Sequence, residues 1–173
     1  MMVEPRALVY VESLLGVGHG VRAAAITRAL LERGFKVTYV TGSHNSTAQD
    51  IAGAKLVQMP AVKAFDSNFS RLVDERGDEI NESWRARRRA ALLAAFSASQ
   101  PQVILIEGYP FSRRQFQFEL NPMLDAARGQ AATVCSVRDI LVDKRDPKRI
   151  DEIVEIIRSN FDMVLVHGDQ TLI

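Results

Sequence analysis

The residues with the greatest chemical reach lie in Leu14-Leu-Gly-Val-Gly-His-Gly20. This stretch sits between an apolar run, Ala7-Leu-Val-Tyr-Val-Glu-Ser13, and a helical pattern, Val21-Arg-Ala-Ala-Ala-Ile-Thr-Arg-Ala-Leu-Leu-Glu-Arg33. Gly16, Gly18 and Gly20 allow backbone angles that a side chain forbids, and they let the chain pass close to a ligand. Free N–H groups at the start of the following helix attract anions, phosphate above all. His19 adds an imidazole, whose ordinary pKa suits proton transfer near neutrality. The segment thus combines an anion cradle with a candidate general base. A histidine that only bonds loop backbone is the plainer alternative.

Other polar residues follow apolar runs in the same way. Glu107 ends Val103-Ile-Leu-Ile-Glu107 and can orient or deprotonate an acceptor, or else pair with Arg113 or Arg114. Arg113 and Arg114 carry forked guanidinium groups that match an anionic acceptor or a diphosphate; surface pairing with Glu119 is their alternative. Arg138, Asp139, His167 and Asp169 occupy similar positions after later runs. Arg138-Asp139 can instead pair internally. The run Arg85 to Arg89 reads as a solvated helix face, with contact to anionic lipid as the other reading. Trp84 reads as core, and Cys135 as a buried small hydrophobe rather than a nucleophile.

Several chemistries are disfavoured. His19, His44 and His167 are scattered and the lone cysteine lies in a strand pattern, so no metal-ligand spacing is present and no metal or cofactor is expected. There is no G-x-x-x-x-G-K-[ST] phosphate loop. Gly18, Gly20 and Ala23 fit the G-x-G-x-x-A dinucleotide spacing. The second strand, however, ends in Val40-Thr41-Gly42, without the acid that binds a ribose hydroxyl.

These residues are positioned by alternating strands and helices. Strands are expected over Leu8–Val11, Lys36–Val40, Lys55–Met59, Gln102–Ile106, Ala132–Val137 and Met163–Val166. Helices are expected over Ala23–Arg33, stopped by Gly34, over Thr47–Ala52, and over Arg71–Ser99 with a break at Gly77. Two more are expected from the Asn121-Pro122 cap to Arg128 and over Pro147–Ser159. Residues 61–70 read as loop. The alternation implies one α/β domain, a doubly wound, Rossmann-like, mostly parallel sheet of about six strands. Ligands of such sheets bind beyond the carboxyl ends of the strands, so the polar residues above are expected to share one rim.

Length and composition agree with a single domain. The chain has 173 residues, 47% hydrophobic and 25% charged, with net charge +1. Near-neutral charge gives no bulk attraction to nucleic acid or membrane. One cysteine and no signal-peptide pattern fit a cytoplasmic location.

Five stretches resemble the N-terminal half of a glycosyltransferase of the two-domain GT-B fold, in a group of predicted bacterial enzymes related to glycosyltransferase family 28. They are Gly16-Val-Gly-His-Gly-Val-Arg-Ala, Glu107-Gly-Tyr-Pro-Phe-Ser-Arg-Arg, Phe118-Glu-Leu-Asn-Pro-Met-Leu, Ser136-Val-Arg-Asp-Ile-Leu and Val164-Leu-Val-His-Gly-Asp. The family-28 loop usually reads G-G-H, where this chain has Gly18-His19-Gly20. The resemblance implies that residues 1–173 form the acceptor-side domain and that a C-terminal domain, absent from this chain, binds the nucleotide sugar. It implies sugar transfer from that donor to an acceptor hydroxyl, on compounds that include anionic and lipid-linked ones, with peripheral membrane contact as an option. His19 and Glu107 are then the candidate catalytic residues. Gly16, Gly18, Gly20, Arg113, Arg114, Arg138, Asp139 and His167 are the candidate substrate contacts. The piece alone is expected to be inactive. The alternatives are a non-enzymatic module for nucleotides or phosphorylated metabolites, and an NAD-dependent dehydrogenase fragment.

Overall fold

Successive residues of a strand face opposite ways, and the first strand uses this to build two cores. In the computed structural model, which describes residues 4–14, 17–43, 51–66, 71–138 and 147–168, strand β1 is Arg6–Tyr10. Ala7, Val9 and the following Val11 pack on one side with Ala23, Val37, Tyr39 and Leu105. Leu8 and Tyr10 pack on the other with Val40, Leu92, Phe96, Ile104, Leu120 and Met123.

Helix α1 (Gly18–Glu32) supplies the cover for the first side. Strands β2 (Lys36–Thr41) and β3 (Lys55–Gln58) follow, then a small hairpin of β4 (Val62–Ala64) and β5 (Leu72–Asp74). Helix α2 (Glu82–Ser99), strand β6 (Val103–Glu107) and helix α3 (Gln117–Ala127) come next. Strand β7 (Ala132–Arg138), helix α4 (Pro147–Asn160) and strand β8 (Met163–His167) complete the described chain. The main sheet has six strands in the order β3-β2-β1-β6-β7-β8, and every pairing is parallel. Counted along the chain within this sheet, the order is 3-2-1-4-5-6, the doubly wound arrangement the sequence implies.

Local chemistry sets the helix ends. Gly34, at φ +83°, closes α1 by donating to the Leu31 carbonyl at 2.9 Å, and Phe35 donates to Leu30 at 3.0 Å. The Asn81 side chain accepts from the Trp84 N–H at 2.8 Å and caps α2.

Four expectations change. Within residues 61–70, β4 replaces part of the loop: Val62 is buried, and β4 pairs antiparallel with β5. The helix expected from Arg71 begins only at Glu82, because Leu72–Asp74 completes that hairpin. Gly77, at φ +90°, closes the turn after it. Helix α3 starts before Asn121-Pro122, since a 3₁₀ turn at Arg114–Phe116 runs directly into it. Pro122 then sits inside the helix, and Asn121 accepts a bond from the Tyr109 hydroxyl at 2.6 Å instead of capping. The Arg85–Arg89 run is not wholly solvated, because Arg88 is completely buried. The helix expected over Thr47–Ala52 lies mostly outside the described residues.

Cover is uneven across the sheet. Met163, Val164, Leu165 and Val166 of β8 are 36–58% exposed, and α4 has no buried residue.

Candidate functional site

The winding direction reverses between β1 and β6, and loops beyond a reversal point diverge to leave a crevice. Beyond β1 the chain passes Glu12 and enters α1, which carries His19 and Arg22 three residues apart on one face. Beyond β6 the strand ends in Glu107, which is 1% exposed. The His19 Nδ1 lies 3.0 Å from Glu107 Oε1. Arg22 donates to the same oxygen through Nε at 3.0 Å and also through a terminal nitrogen. Ser136, opposite Glu107 in the β6–β7 register, donates its hydroxyl to Oε2 at 2.5 Å. The same hydroxyl is 2.9 Å from His167 Nε2.

Burial alone pushes the Glu107 carboxyl up. The hydrogen bonds from His19, Arg22 and Ser136, with the charge of Arg22, outweigh that and hold it below the usual value. Glu107 is therefore an acceptor only, and His19 meets it with Nδ1–H. That leaves Nε2 of a neutral His19 ring as a proton acceptor on a side chain 24% exposed. The imidazole of His167 is lowered, by burial first and by the Arg22 charge second, against the opposing pull of Glu107.

The turn after Glu107 requires a glycine. Gly108 has φ +86°, and a Cβ there would come within 2.5 Å of Ser112 Oγ and 3.4 Å of His19 Cε1. The next turn ends in Arg113, left-handed at φ +63° and buried, whose Nε donates to the Glu12 carbonyl at 2.7 Å.

A second polar cluster lies beneath. Arg88 bridges Glu12 and Glu119, with Nε 2.7 Å from one Glu119 oxygen, and donates to the Pro60 carbonyl at 2.7 Å. Tyr10 donates to Glu119 at 2.5 Å, and Glu12 accepts from the Gly42 N–H at 2.7 Å. Burial disfavours the Arg88 charge, but the two carboxylates and Tyr10 outweigh it, so Arg88 stays cationic. This cluster ties β1, α2 and α3 together under the rim.

The candidate residues fall as follows. His19, Glu107 and His167 share one hydrogen-bonded network. Arg113 adjoins it across Gly108. Arg138 is paired in register with His167 and is exposed. Arg114 is engaged elsewhere, by Glu152 of α4 at 2.7 Å. Gly18 and Gly20 lie in the first turn of α1 rather than in a loop, because the helix begins one residue earlier than His19. The glycine that the site needs for a left-handed angle is Gly108. Gly16, Asp139 and Asp169 lie outside the described residues. The alternative partner Glu119 bonds to Arg88, not to Arg113 or Arg114. Cys135 is buried, and burial, then the Glu107 charge, pushes its thiol up to about 12.

Sequence reasoning missed Arg22, Ser136 and Gly108. Arg22 carried a signal, being one turn from His19. Ser136 carried none alone, since only strand register sets it beside Glu107.

Together these features define a doubly wound α/β domain with a histidine–carboxylate pair at its switch point. No protein-family model matches the chain, and no curated protein matches it either. Among solved structures it is similar to MurG of Acinetobacter baumannii, at 9% identity and TM-score 0.57, covering 95% of this chain and 42% of that one. It is also similar to apo UGT2 of Phytolacca americana, at 12% identity and TM-score 0.55, covering 97% and 46%. A third is the glycosyltransferase VinC solved with dTDP, at 13% identity and TM-score 0.52, covering 91% and 40%. The chain spans less than half the length of each. At these identities the likeness establishes the fold alone, a doubly wound α/β domain shared with part of each of these proteins.

Proposed function

We propose that the chain is the acceptor-side domain of a glycosyltransferase, with His19 as general base. Nε2 of His19 takes the proton of an acceptor hydroxyl while that oxygen bonds to the anomeric carbon of a nucleotide sugar. The bond from that carbon to the diphosphate breaks, and the diphosphate leaves with the electron pair. Glu107 holds Nδ1–H and stabilises the imidazolium that forms. In this reading Gly18, Gly20, Arg113, Arg138 and His167 contact acceptor or phosphate. The donor is held mainly by a second domain, so residues 1–173 alone do not turn over.

The observation that carries this reading is the 3.0 Å His19–Glu107 bond at the switch point of this fold. The test incubates the full-length protein with a panel of nucleotide sugars and hydroxyl acceptors and follows product by mass spectrometry. Transfer from one donor is expected, with thermal stabilisation by that nucleotide sugar. Stabilisation by NADH with no sugar transfer would overturn the reading in favour of a dehydrogenase. Nucleotide binding without transfer would favour a non-enzymatic module.

A further inference from the structure

Glu107 presents an arrangement that its partners alone do not explain. An arginine fork meeting a carboxylate ordinarily takes both oxygens side by side. Here Arg22 places both of its donors on Oε1, the oxygen that His19 also uses. Oε2 is turned the other way and engaged by the Ser136 hydroxyl at 2.5 Å. If Ser136 released Oε2, the carboxylate would be free to rotate into side-on pairing with Arg22, and Oε1 would leave His19.

The direction of the hydrogen bonds follows from counting protons. Glu107 is ionised and only accepts, so the single Ser136 hydrogen points at Oε2. Toward His167 the Ser136 oxygen can then only accept, and His167 must present Nε2–H across their 2.9 Å separation. The bond from His167 holds the hydroxyl in the one rotation that serves Glu107. Four side chains thereby form a network whose donors converge on Glu107: His167 Nε2–H to Ser136, Ser136 O–H to Oε2, and His19 Nδ1–H to Oε1 from the far side. Among the described residues, the groups facing this network include Arg22 from α1, Arg113 beside Gly108, Tyr39 of β2 and Cys135 of β7.

We propose that Ser136, oriented by His167, is the positioning residue that fixes the rotation of Glu107 and so keeps Nε2 of His19 free of hydrogen. This rests on the reading of His19 as the base. It is separable from that reading, because the proton positions can be observed without substrate.

The experiment is long-range ¹H–¹⁵N NMR of the histidine rings in the 173-residue chain at about pH 9, where imidazole is ordinarily neutral. His19, His44 and His167 are assigned by single replacement with Gln. In the wild type, His19 should carry its hydrogen on Nδ1 and His167 on Nε2. In Ser136→Ala the ratio of Nδ1–H to Nε2–H forms of His19 should fall about fivefold, the worth of one hydrogen bond. Ser136→Thr, which keeps the hydroxyl, should restore it. A wild-type His167 protonated on Nδ1, or a His19 ratio unmoved by Ser136→Ala, overturns the proposal. In the full-length enzyme Ser136→Ala should lower kcat with KM unchanged, and Ser136→Thr should recover it. Correct ring protonation without any sugar transfer would sink the enzymatic reading and leave the positioning chain standing. An unmoved His19 ratio with transfer still dependent on His19 would do the reverse.

Discussion

His19 meets Glu107 through one ring nitrogen, Nδ1, and its side chain is 24% exposed. On the proposed reading, His19→Ala in the full-length protein should lower kcat by about a hundredfold or more, the usual contribution of a general base. It should lower the melting temperature only modestly, because it removes one hydrogen bond to Glu107 while those from Arg22 and Ser136 remain. Steady-state kinetics and a melting curve on one preparation check this; unaltered kcat would remove the base from the mechanism. The same network predicts a pH dependence of stability. Burial and Arg22 lower the His167 pKa, and hydrogen bonds with the Arg22 charge lower that of Glu107 against burial. Each contribution is complete above the unfolded value, about 6.5 for His and about 4.3 for Glu, and is lost as pH falls through the lower folded value. Stability should thus decline in two stages on acidification. His167→Gln, which keeps an N–H donor but cannot titrate, should flatten the first stage in melting curves taken between about pH 7 and pH 5. His19 and Glu107 were legible as chemistry because each follows an apolar strand. Ser136 was not, since a serine inside a strand gains meaning only when register sets it opposite a carboxylate.

At the scale of elements, α2 shows where reading a sequence succeeds and where it stops. Trp84, Leu92, Ala95 and Phe96 recur at helical spacing and form its buried face. Arg88 lies four residues after Trp84 and four before Leu92, on that same face. A run of arginines still reads as solvated, because the carboxylates that permit burial, Glu12 and Glu119, lie 76 and 31 positions away in the chain. Arg88→Met would leave both acids buried without a cation, at a cost of about 3 kcal/mol or more. Arg87→Met, on the exposed face, should stay within about 0.5 kcal/mol of wild type. Urea denaturation of the two variants side by side checks this, and equal midpoints would mean that Arg88 does not hold α2 to β1 and α3. The six strands and their alternation with helices were legible, because the four central strands are continuous apolar runs and the edge strands β3 and β8 keep short apolar cores. The β4–β5 hairpin was not, because two three-residue strands are too short to show a period. Nor was the true start of α3, since Asn-Pro is a strong cap signal that the preceding 3₁₀ turn overrides.

For the molecule as a whole, the uneven cover of the sheet has a practical outcome. A parallel strand ordinarily has both faces covered, yet β8, the edge strand among the described residues, presents Met163 to Val166 at 36–58% exposure. The 173-residue chain should therefore self-associate at high concentration. Val166→Lys should reduce that association in sedimentation velocity without lowering the melting temperature, whereas a strictly monomeric wild type at millimolar concentration would show that the edge is inert. The strand order also sets a timetable for synthesis. The centre of the sheet joins β1 to β6, and the first contact across it, between Arg6 and Gln102, spans 96 positions. Ribosomes add about 5–20 residues per second. The first strand therefore waits on the order of 5–20 s after its own emergence before its partner exists. During that interval its only strand partner among the described residues is β2, and Glu107 is not yet available to His19. Glu107 thus reaches His19 only after β1, α1 and β2 have emerged, and Ser136 and His167 join the network later still.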